Sequence, residues 1–282
     1  IIFIILNLFN LRMFNSLNLS MTIISSGGFL PVDNLSSILT NDRIIIVFSF
    51  LMLISFFSIF LSYNLIFFKN RNINFFNEDL NLLFYFLCLL VMFFIFFNFN
   101  NNFASLFLSL ASSVSNIGLS LNDSPENLTF VFLILSIIGG SLFSTSSGIR
   151  FLKLYALFKY SINNMISHVK PKNVFINKHV YLRINFEKKE IDKYFLSLIV
   201  FMISLLLLTS LLTISGINFE DGFKLAILTL MNTVNSDMYG LENFEFQELH
   251  FFTKYYLIIF MIIGRVELLT FLIICKKILF KS

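Results

Sequence analysis

The sequence predicts an all-α membrane protein built from repeats of three parts: a helix, a short re-entrant helix and a second helix. Three observations favour this fold: a strongly apolar composition, apolar runs long enough to cross a bilayer, and shorter apolar segments that stop at small polar residues. Of the 282 residues, 57% are hydrophobic and 13% are charged, and 40 are Phe. A soluble domain keeps about a quarter of its residues charged, so this composition excludes an ordinary soluble enzyme or binding domain.

The long apolar runs define the expected membrane spans, since each is long enough for a helix to cross about 30 Å of hydrocarbon. The five runs lie at about 43–68, 80–98, 128–163 (interrupted), 192–215 and 252–280, and residues 1–9 resemble the tail of a sixth. The chain starts at Ile1 without a basic leader or a cleavage site. We therefore expect it to be the C-terminal portion of a longer protein.

Charged residues between the runs predict the orientation in the membrane. Lys and Arg are concentrated in 69–79, in 150–193 and at the C-terminus, whereas 99–127 and 217–251 are acidic. The positive-inside rule places the basic segments in the cytoplasm. The chain is therefore predicted to be multi-pass with a cytoplasmic C-terminus. The basic loop needs no nucleic-acid partner, because the same rule already predicts it.

Three apolar segments in the remaining connections are too short to span the membrane. They are LNLSMTIISSGGF (17–29), LSLASSVSNIGLS (108–120) and AILTLMNTVNSDMYG (226–240). Aligned on Gly27, Gly118 and Ser236, each has a Leu eight residues earlier. We interpret each segment as a short re-entrant helix followed by a polar turn, with a plain external turn as the alternative. Non-helical backbone at membrane depth is tolerated only where it is buried in protein or lines water.

A re-entrant helix that ends at Gly or Ser suits a cation. Its C-terminus carries roughly half a negative charge. The carbonyls of the turn that follows can replace the hydration shell of an alkali ion. Four such turns around one axis form a selectivity filter, and this chain supplies three of them.

Several motifs resemble those of a known family. MTIISSGGF (21–29) resembles an STGGF filter stretch, and IIGGSLFSTSSGIRFLKLYALFK (137–159) resembles a GGxxGSTxGGIKxxR segment. HVKPKNVF (168–175) resembles a basic LHPxAV loop, and IIGRVELLTFLI (262–273) resembles the GRLExFTLL sequence of a last helix. By these motifs the chain is similar, along essentially its whole length, to the membrane subunit of the Trk/Ktr/HKT superfamily of potassium transporters, and most to the bacterial Trk branch.

The resemblance implies repeats of helix, pore helix and helix around a pseudo-fourfold pore, with the first repeat and part of the second missing here. Residues 1–68 would be the end of the second repeat and residues 80–166 the third repeat, with a broken second helix. Residues 167–191 would be a cytoplasmic basic loop, and residues 192–282 the fourth repeat.

By position, the resemblance also implies a K⁺ filter made of backbone carbonyls. Its residues would be Ser25, Ser26, Gly27, Gly28 and Phe29 in the second repeat, Ser115, Asn116, Ile117 and Gly118 in the third, and Val234, Asn235 and Ser236 in the fourth. Ser236 stands where the family has a glycine. In related plant members a serine at a filter glycine accompanies Na⁺ permeation, so K⁺ selectivity and additional Na⁺ conduction both stay open.

The break in the third run is, by the same resemblance, an intramembrane loop that gates permeation. Its residues are Gly139, Gly140, Ser141, Ser144, Thr145, Ser146, Ser147 and Gly148. The alternative is a kinked helix whose hydroxyls bond to the preceding turn. Arg265 lies well inside the last run, and we expect it to face the pore, contact the gate loop and form a positive barrier. Snorkelling toward a helix end is the alternative for Arg265.

The sequence supports other functions less well. An enzyme is not predicted, because every His lies outside the apolar runs and no pair of Asp residues lies at mid-membrane. A GxxxxGK[ST] phosphate loop is also absent from the sequence, which argues against ATP-driven pumping by this chain. A proton- or sodium-coupled secondary cation transporter, with Glu267 as its carboxylate, and a non-conducting membrane assembly subunit stay open. The resemblance implies an inner (plasma) membrane protein in contact with lipid, a homodimer, and a cytoplasmic nucleotide-binding regulatory subunit docked on 150–193. No covalent cofactor is expected; K⁺ is the transported ion, and nucleotide would act only through the regulatory partner.

Overall fold

The structure is a computed structural model. It describes residues 1–32, 34–58, 73–96, 103–121, 128–169, 188–233, 237–241 and 249–266, together with 270, 273–274 and 276–278. Most of these residues are helical, which confirms the predicted all-α class. The helices contain no proline, so their hydrogen-bonded ladders run without the break that a proline ring imposes.

The helices fall into three consecutive groups along the chain. The first group is α1 (Ile2–Leu8), α2 (Met13–Ser25) and α3 (Asp42–Phe56). The second is α4 (Ile73–Phe96), α5 (Phe103–Val114), α6 (Thr129–Ile137) and α7 (Phe151–Val169), and the third is α8 (Lys188–Ile214), α9 (Phe219–Met231) and α10 (Phe251–Val266). Short 3₁₀ turns lie at Leu35–Ser37 and Asp237–Tyr239.

Two of the described helices are long and apolar enough to cross a membrane. These stretches are Glu78–Ile95 in α4 and Glu190–Ile214 in α8, and they coincide with the predicted runs at 80–98 and 192–215. Their outward faces are apolar, since Phe84 on α4 and Leu206 on α8 are more than half exposed. A large exposed apolar surface of this kind is typical of contact with lipid. The runs at 43–68 and 252–280 begin with α3 and α10, and much of their remainder lies outside the described residues.

Three short helices occupy the segments that were predicted to be re-entrant. Helices α2, α5 and α9 have 13, 12 and 13 residues. Helices of that length extend about 20 Å, well short of the roughly 30 Å needed to span the hydrocarbon. Each packs against the helix that follows it in the chain: α2 on α3, α5 on α6 and α9 on α10. In addition, α3 contacts α5 of the next group, and α6 contacts α9 of the group after it. The helix that follows one short helix therefore contacts the short helix of the next group, and this arrangement occurs twice along the chain.

Buried apolar side chains form two clusters around these short helices. One centres on α5, α6, α8 and α9 and includes Phe107, Phe132 and Leu228, which are at most 3% exposed. The other joins α2 and α3 through side chains such as Leu19 and Phe48, both fully buried. Phenylalanines fill the space between helices, as where Phe93 stacks on Phe132 with ring centroids 5.9 Å apart.

The third apolar run is broken, as predicted. Helix α6 ends at Ile137 and is followed by β1 (Ile138–Gly139), and β2 (Ile149–Arg150) leads into α7. The two short strands pair in parallel, with Ile138 opposite Ile149 and Gly139 opposite Arg150. Residues 140–148 connect the two strands, and we name them the interrupting loop. Because the strands pair side by side, the chain leaves α6 and enters α7 at neighbouring positions.

Candidate functional site

The three short helices end in the same backbone turn. A residue just past the end of each helix adopts a left-handed conformation, with φ of 50° at Ser26 and 53° at Asn232, which directly follow α2 and α9, and 58° at Asn116, the second residue after α5. The backbone N–H of that residue donates to the carbonyl three residues earlier, and the next N–H donates to the carbonyl five residues earlier. This pair of bonds is a Schellman cap. We name these three positions the cap turns.

The cap turns correct the sequence alignment. A glycine with positive φ follows two residues after Ser26 and after Asn116, with φ of 69° at Gly28 and 82° at Gly118. Gly118 therefore corresponds to Gly28, and the alignment of Gly27 with Gly118 is wrong by one residue. The alignment was based on the spacing from an earlier Leu, and this spacing does not show at which residue the helix ends. The end is set by the Ser or Asn that takes the left-handed conformation.

The third cap turn is described only in part. Gly28 and Gly118 each lie two residues after their cap residue. The same count from Asn232 leads to Val234, which is two residues before Ser236, the residue aligned from the sequence. The predicted filter residues Val234, Asn235 and Ser236 themselves lie outside the described residues.

Buried polar oxygens line the cap turns. Ser115 and Asn116 are fully buried and Ser26 is 2% exposed. Within the described part of the chain, the side-chain oxygens of Ser112, Asn116 and Thr233 are buried and accept no hydrogen bond. A buried acceptor without a partner costs about 1–3 kcal/mol. A cation, or any hydrogen-bond donor that reaches these oxygens, would offset this cost.

The interrupting loop packs against the C-terminal end of α3 through its backbone. The N–H of Ser141 donates to the carbonyl of Phe56 at 3.1 Å, and the N–H of Ser146 donates to the carbonyl of Ser55 at 3.2 Å. Inside the loop, the N–H of Gly140 donates to the Ser146 hydroxyl at 2.9 Å. The serines therefore satisfy backbone groups that the helix break would leave unpaired.

Arg150 closes the loop from within. Its Nη1 donates to the carbonyls of Ser141 and Ser144 at 3.2 Å and of Ser146 at 3.0 Å. One guanidinium group thus neutralises three converging carbonyl dipoles, so the loop folds around Arg150.

The loop contacts two of the cap turns directly. The hydroxyls of Ser26 and Thr145 lie 3.3 Å apart. The Asn116 amide donates from Nδ2 to the carbonyl of Ser147 at 2.9 Å. Residues 145–147 therefore lie between the ends of α2 and α5, which are separated by 90 residues of sequence at their caps.

Arg265, on α10, reaches the same place. Its Nη1 donates to the Ser147 hydroxyl at 3.0 Å, and its Nη2 donates to the carbonyl of Ser25, the last residue of α2, at 3.1 Å. The predicted contact between Arg265 and the loop is present. A cation at the C-terminus of a helix also complements the helix dipole.

Helix α10 is tied to the third cap turn one helical turn away from Arg265. The Asn232 amide donates to the carbonyl of Met261 at 3.0 Å. A Cβ on Gly264 would lie 2.3 Å from the carbonyl oxygen of Leu230, so only glycine permits the observed approach of α10 to α9. The three cap turns are thus linked, directly or through α10, to one loop.

Comparison with known proteins identifies this architecture. The sequence matches no protein-family model and, at a significant level, no curated protein. The structure superposes on the crystal structure of the potassium transporter TrkH from Vibrio parahaemolyticus with a TM-score of 0.79 and 19% sequence identity. The alignment covers 95% of this chain and 59% of that chain. The chain has the TrkH fold.

In this TrkH fold, two of the predicted loop glycines lie so close to backbone carbonyls that a side chain would not fit. A Cβ on Gly139 would lie 2.3 Å from the carbonyl oxygen of Ser147, and a Cβ on Gly140 would lie 2.2 Å from that of Phe56. Gly148 has φ of 91°. The two ends of the loop are therefore packed backbone against backbone on each other, and the loop is packed in the same way against the end of α3.

Sequence reasoning missed two acidic residues that touch this part of the TrkH fold. Glu78 and Asp79, near the start of α4, are 5% and 2% exposed. The Glu78 carboxylate accepts a hydrogen bond from the backbone N–H of Leu142 at 3.0 Å. The one signal in the sequence was a pair of acids at the beginning of an apolar run, in a connection that the charge rule assigns to the basic side. Glu267, the carboxylate considered for ion coupling, lies outside the described residues.

Proposed function

We propose that this chain is part of a membrane-embedded cation-uptake subunit that conducts K⁺ through backbone carbonyls at the cap turns, with the interrupting loop as its gate. The observation that carries this proposal is that two cap turns, at Ser26 and Asn116, contact the same loop at residues 145–147. The fold agrees with it, since the matched crystal structure is that of a potassium transporter.

The electrostatics of the cap turns favour a cation. Each short helix directs a C-terminus with roughly half a negative charge toward its cap turn. Asn116 Oδ1 and Thr233 Oγ1 add buried oxygens that lack hydrogen-bond donors among the described residues. Oxygen ligands of this kind can replace the water around a K⁺ or Na⁺ ion. By counting from the cap residue, we propose that Asn232, Thr233 and Val234 are the residues equivalent to 26–28.

The loop provides the gate in this proposal. It is wedged between the ends of α2, α3 and α5, and it is closed by polar contacts that can be exchanged for water. Arg265 would add a positive charge beside the path, which opposes a passing cation until the charge moves or is screened. The homodimer, the regulatory subunit on 150–193, the inner-membrane location and the cytoplasmic C-terminus stay predictions of the family resemblance.

The test uses the full-length protein in proteoliposomes, with K⁺ and Na⁺ uptake measured separately. Gly118→Val should abolish uptake of both ions, because a β-branched residue at φ of 82° distorts the second cap turn. The matched control is Gly216→Val, where φ is 95° but nothing lies within 4 Å of the added Cβ. It imposes comparable backbone strain away from the cap turns, so it should lower stability and leave uptake per folded protein unchanged.

Three outcomes decide the proposal. Wild-type protein that is folded and moves neither ion would refute conduction. Normal uptake by folded Gly118→Val would refute the role of the cap turn. The ratio of K⁺ to Na⁺ uptake by the wild type decides between K⁺ selectivity and shared conduction.

A further inference from the structure

Two neighbouring carboxylates at the start of α4 hold the two backbone segments that meet at the interrupting loop. Asp79 binds the segment just after α3. Its Oδ1 accepts a hydrogen bond from the N–H of Ser58 at 3.0 Å, and its Oδ2 accepts one from the Ser58 hydroxyl at 2.7 Å. Ser58 lies two residues beyond Phe56, whose carbonyl accepts the N–H of Ser141. Asp79 therefore fixes the end of α3 that receives the loop.

Glu78 binds the loop itself. Its Oε1 accepts the N–H of Leu142 at 3.0 Å, one residue along from the Ser141 N–H that binds α3. Consecutive N–H groups of the loop are thus held by α4 and by α3. Arg150, around which the loop folds, also interacts electrostatically with Glu78.

Because Glu78 and Asp79 are buried, their carboxylates depend on these hydrogen bonds. Both carboxylates are at least nine-tenths buried, and a buried carboxylate is strongly unfavourable unless it is hydrogen-bonded. Helix α4 contains one of the two stretches suited to span the membrane among the described residues, so it provides a rigid attachment for the loop. An apolar pair at these positions would pack in the same place but would hold neither Leu142 nor Ser58.

We propose that Glu78 and Asp79 act as a clamp that keeps the interrupting loop closed against α3. They are positioning residues for the gate, and this inference rests on the proposed function of the loop. Opening must break the bond from Leu142 to Glu78. Removing the Glu78 carboxylate should therefore increase the population of the open loop and the ion flux that passes it.

The experiment reports loop position independently of transport. The full-length protein, with Cys88 and Cys275 replaced by Ala, carries Ser141→Cys as a reporter for a water-soluble maleimide. The Ser141 side chain is fully buried and its hydroxyl has no partner among the described residues, so this change breaks no side-chain hydrogen bond. A second protein carries Ser204→Cys instead, which probes a buried site within α8 and detects general unfolding.

Glu78→Ala should raise the labelling rate at Ser141→Cys by about tenfold, the shift expected when one hydrogen bond to a charged group is lost. Labelling at Ser204→Cys should stay unchanged. Glu78→Gln keeps an acceptor oxygen for the Leu142 N–H, so its labelling rate should lie between those of Glu78→Ala and wild type. Glu220→Ala, which removes an exposed carboxylate on α9, is the matched control and should have no effect. Uptake of K⁺ per folded protein should rise in the same order as labelling.

Each outcome bears on the clamp separately from the proposed function. Unchanged labelling at Ser141→Cys in Glu78→Ala would overturn the clamp even if the wild type transports K⁺. Increased labelling at both reporters would also overturn it, because it would show a structural role only. If labelling rises only at Ser141→Cys but the wild type moves no ion, the clamp stands and the proposed function fails. If Glu78→Ala does not fold, the isosteric Glu78→Gln decides, because it weakens the acceptor of the Leu142 N–H: a several-fold rise at Ser141→Cys alone supports the clamp, and no rise overturns it.

Discussion

Replacing Arg265 by Lys and by Gln separates its charge from its hydrogen bonds. The guanidinium makes two hydrogen bonds, to the Ser147 hydroxyl at 3.0 Å and to the Ser25 carbonyl at 3.1 Å. Lys keeps the charge but loses the fork that reaches both acceptors. Gln loses the charge but retains an N–H donor for one of the two acceptors. The two variants therefore change opposite properties at one position.

The magnitudes predict that the charge dominates. The Arg265 side chain is exposed in the described chain, so solvent screening lowers each of its two hydrogen bonds to about 0.5–1 kcal/mol, below the roughly 1.5–3 kcal/mol of a bond to a buried charged group, and the two together contribute about 1–2 kcal/mol. A unit charge about 5 Å from a passing cation opposes it by roughly 3 kcal/mol at an effective dielectric constant near 20. Because 1.4 kcal/mol corresponds to about tenfold, removal of the charge should raise cation uptake by about ten- to a hundredfold.

The assay is initial K⁺ uptake into proteoliposomes, normalised to folded protein. Arg265→Gln and Arg265→Ala should both show the increase, whereas Arg265→Lys should stay within a few-fold of wild type. The opposite order would refute the charge barrier: Arg265→Lys as active as Arg265→Ala, with Arg265→Gln close to wild type, would mean that the hydrogen bonds govern the loop. Raising the salt concentration should reduce the difference between Arg265→Gln and wild type, since mobile ions screen a charge that is exposed to water.

Two further predictions concern glycines at close backbone contacts. Gly140→Ala would place a Cβ 2.2 Å from a carbonyl of α3, so we expect a loss of roughly 1–3 kcal/mol in unfolding free energy and a displaced loop. Gly264→Ala would place a Cβ 2.3 Å from a carbonyl of α9 and should separate α9 from α10, with a similar loss. In the control, Gly222→Ala, the Cβ would meet its neighbours at 3.6 to 3.9 Å, and helix propensity should make the change neutral or stabilising by up to about 1 kcal/mol. Thermal unfolding in detergent measures all three variants, and equal melting temperatures would contradict the packing described.

The sequence predicted those features that depend on local signals. Apolar composition and run length predicted the all-α fold, and runs too short to span predicted α2, α5 and α9. Glycines and hydroxyls inside an apolar run predicted the break after Ile137, because such residues are the ones that can satisfy or relax a freed backbone. The contact of Arg265 with the interrupting loop followed from the cost of a charge inside an apolar run together with the family resemblance.

The features that the sequence did not predict depend on pairing between distant segments. Glu78 binds a backbone N–H 64 residues away, and Asp79 binds a residue 21 positions before it. Neither spacing is a local motif, so nothing in the sequence around either acid identifies its partner. The register of the cap turns was misassigned for another reason. Glycine is the usual residue for a left-handed cap, but Ser26 and Asn116 take that conformation here, and the glycines follow two residues later.

The way in which the interrupting loop is held is suited to a gate. Its two large apolar side chains, Leu142 and Phe143, lie outside both buried clusters, and Phe143 is 44% exposed. The loop is fixed instead by hydrogen bonds to α3, to Glu78, to two cap turns and to Arg265, each with a net contribution of about 1 kcal/mol. Opening exchanges some of these bonds for bonds to water and exposes little apolar surface, so its cost is a few kcal/mol, the range in which a minor state is measurably populated. A loop fixed by apolar burial would open only together with the core, whereas this loop can move while the clusters around α2 and α5 stay intact.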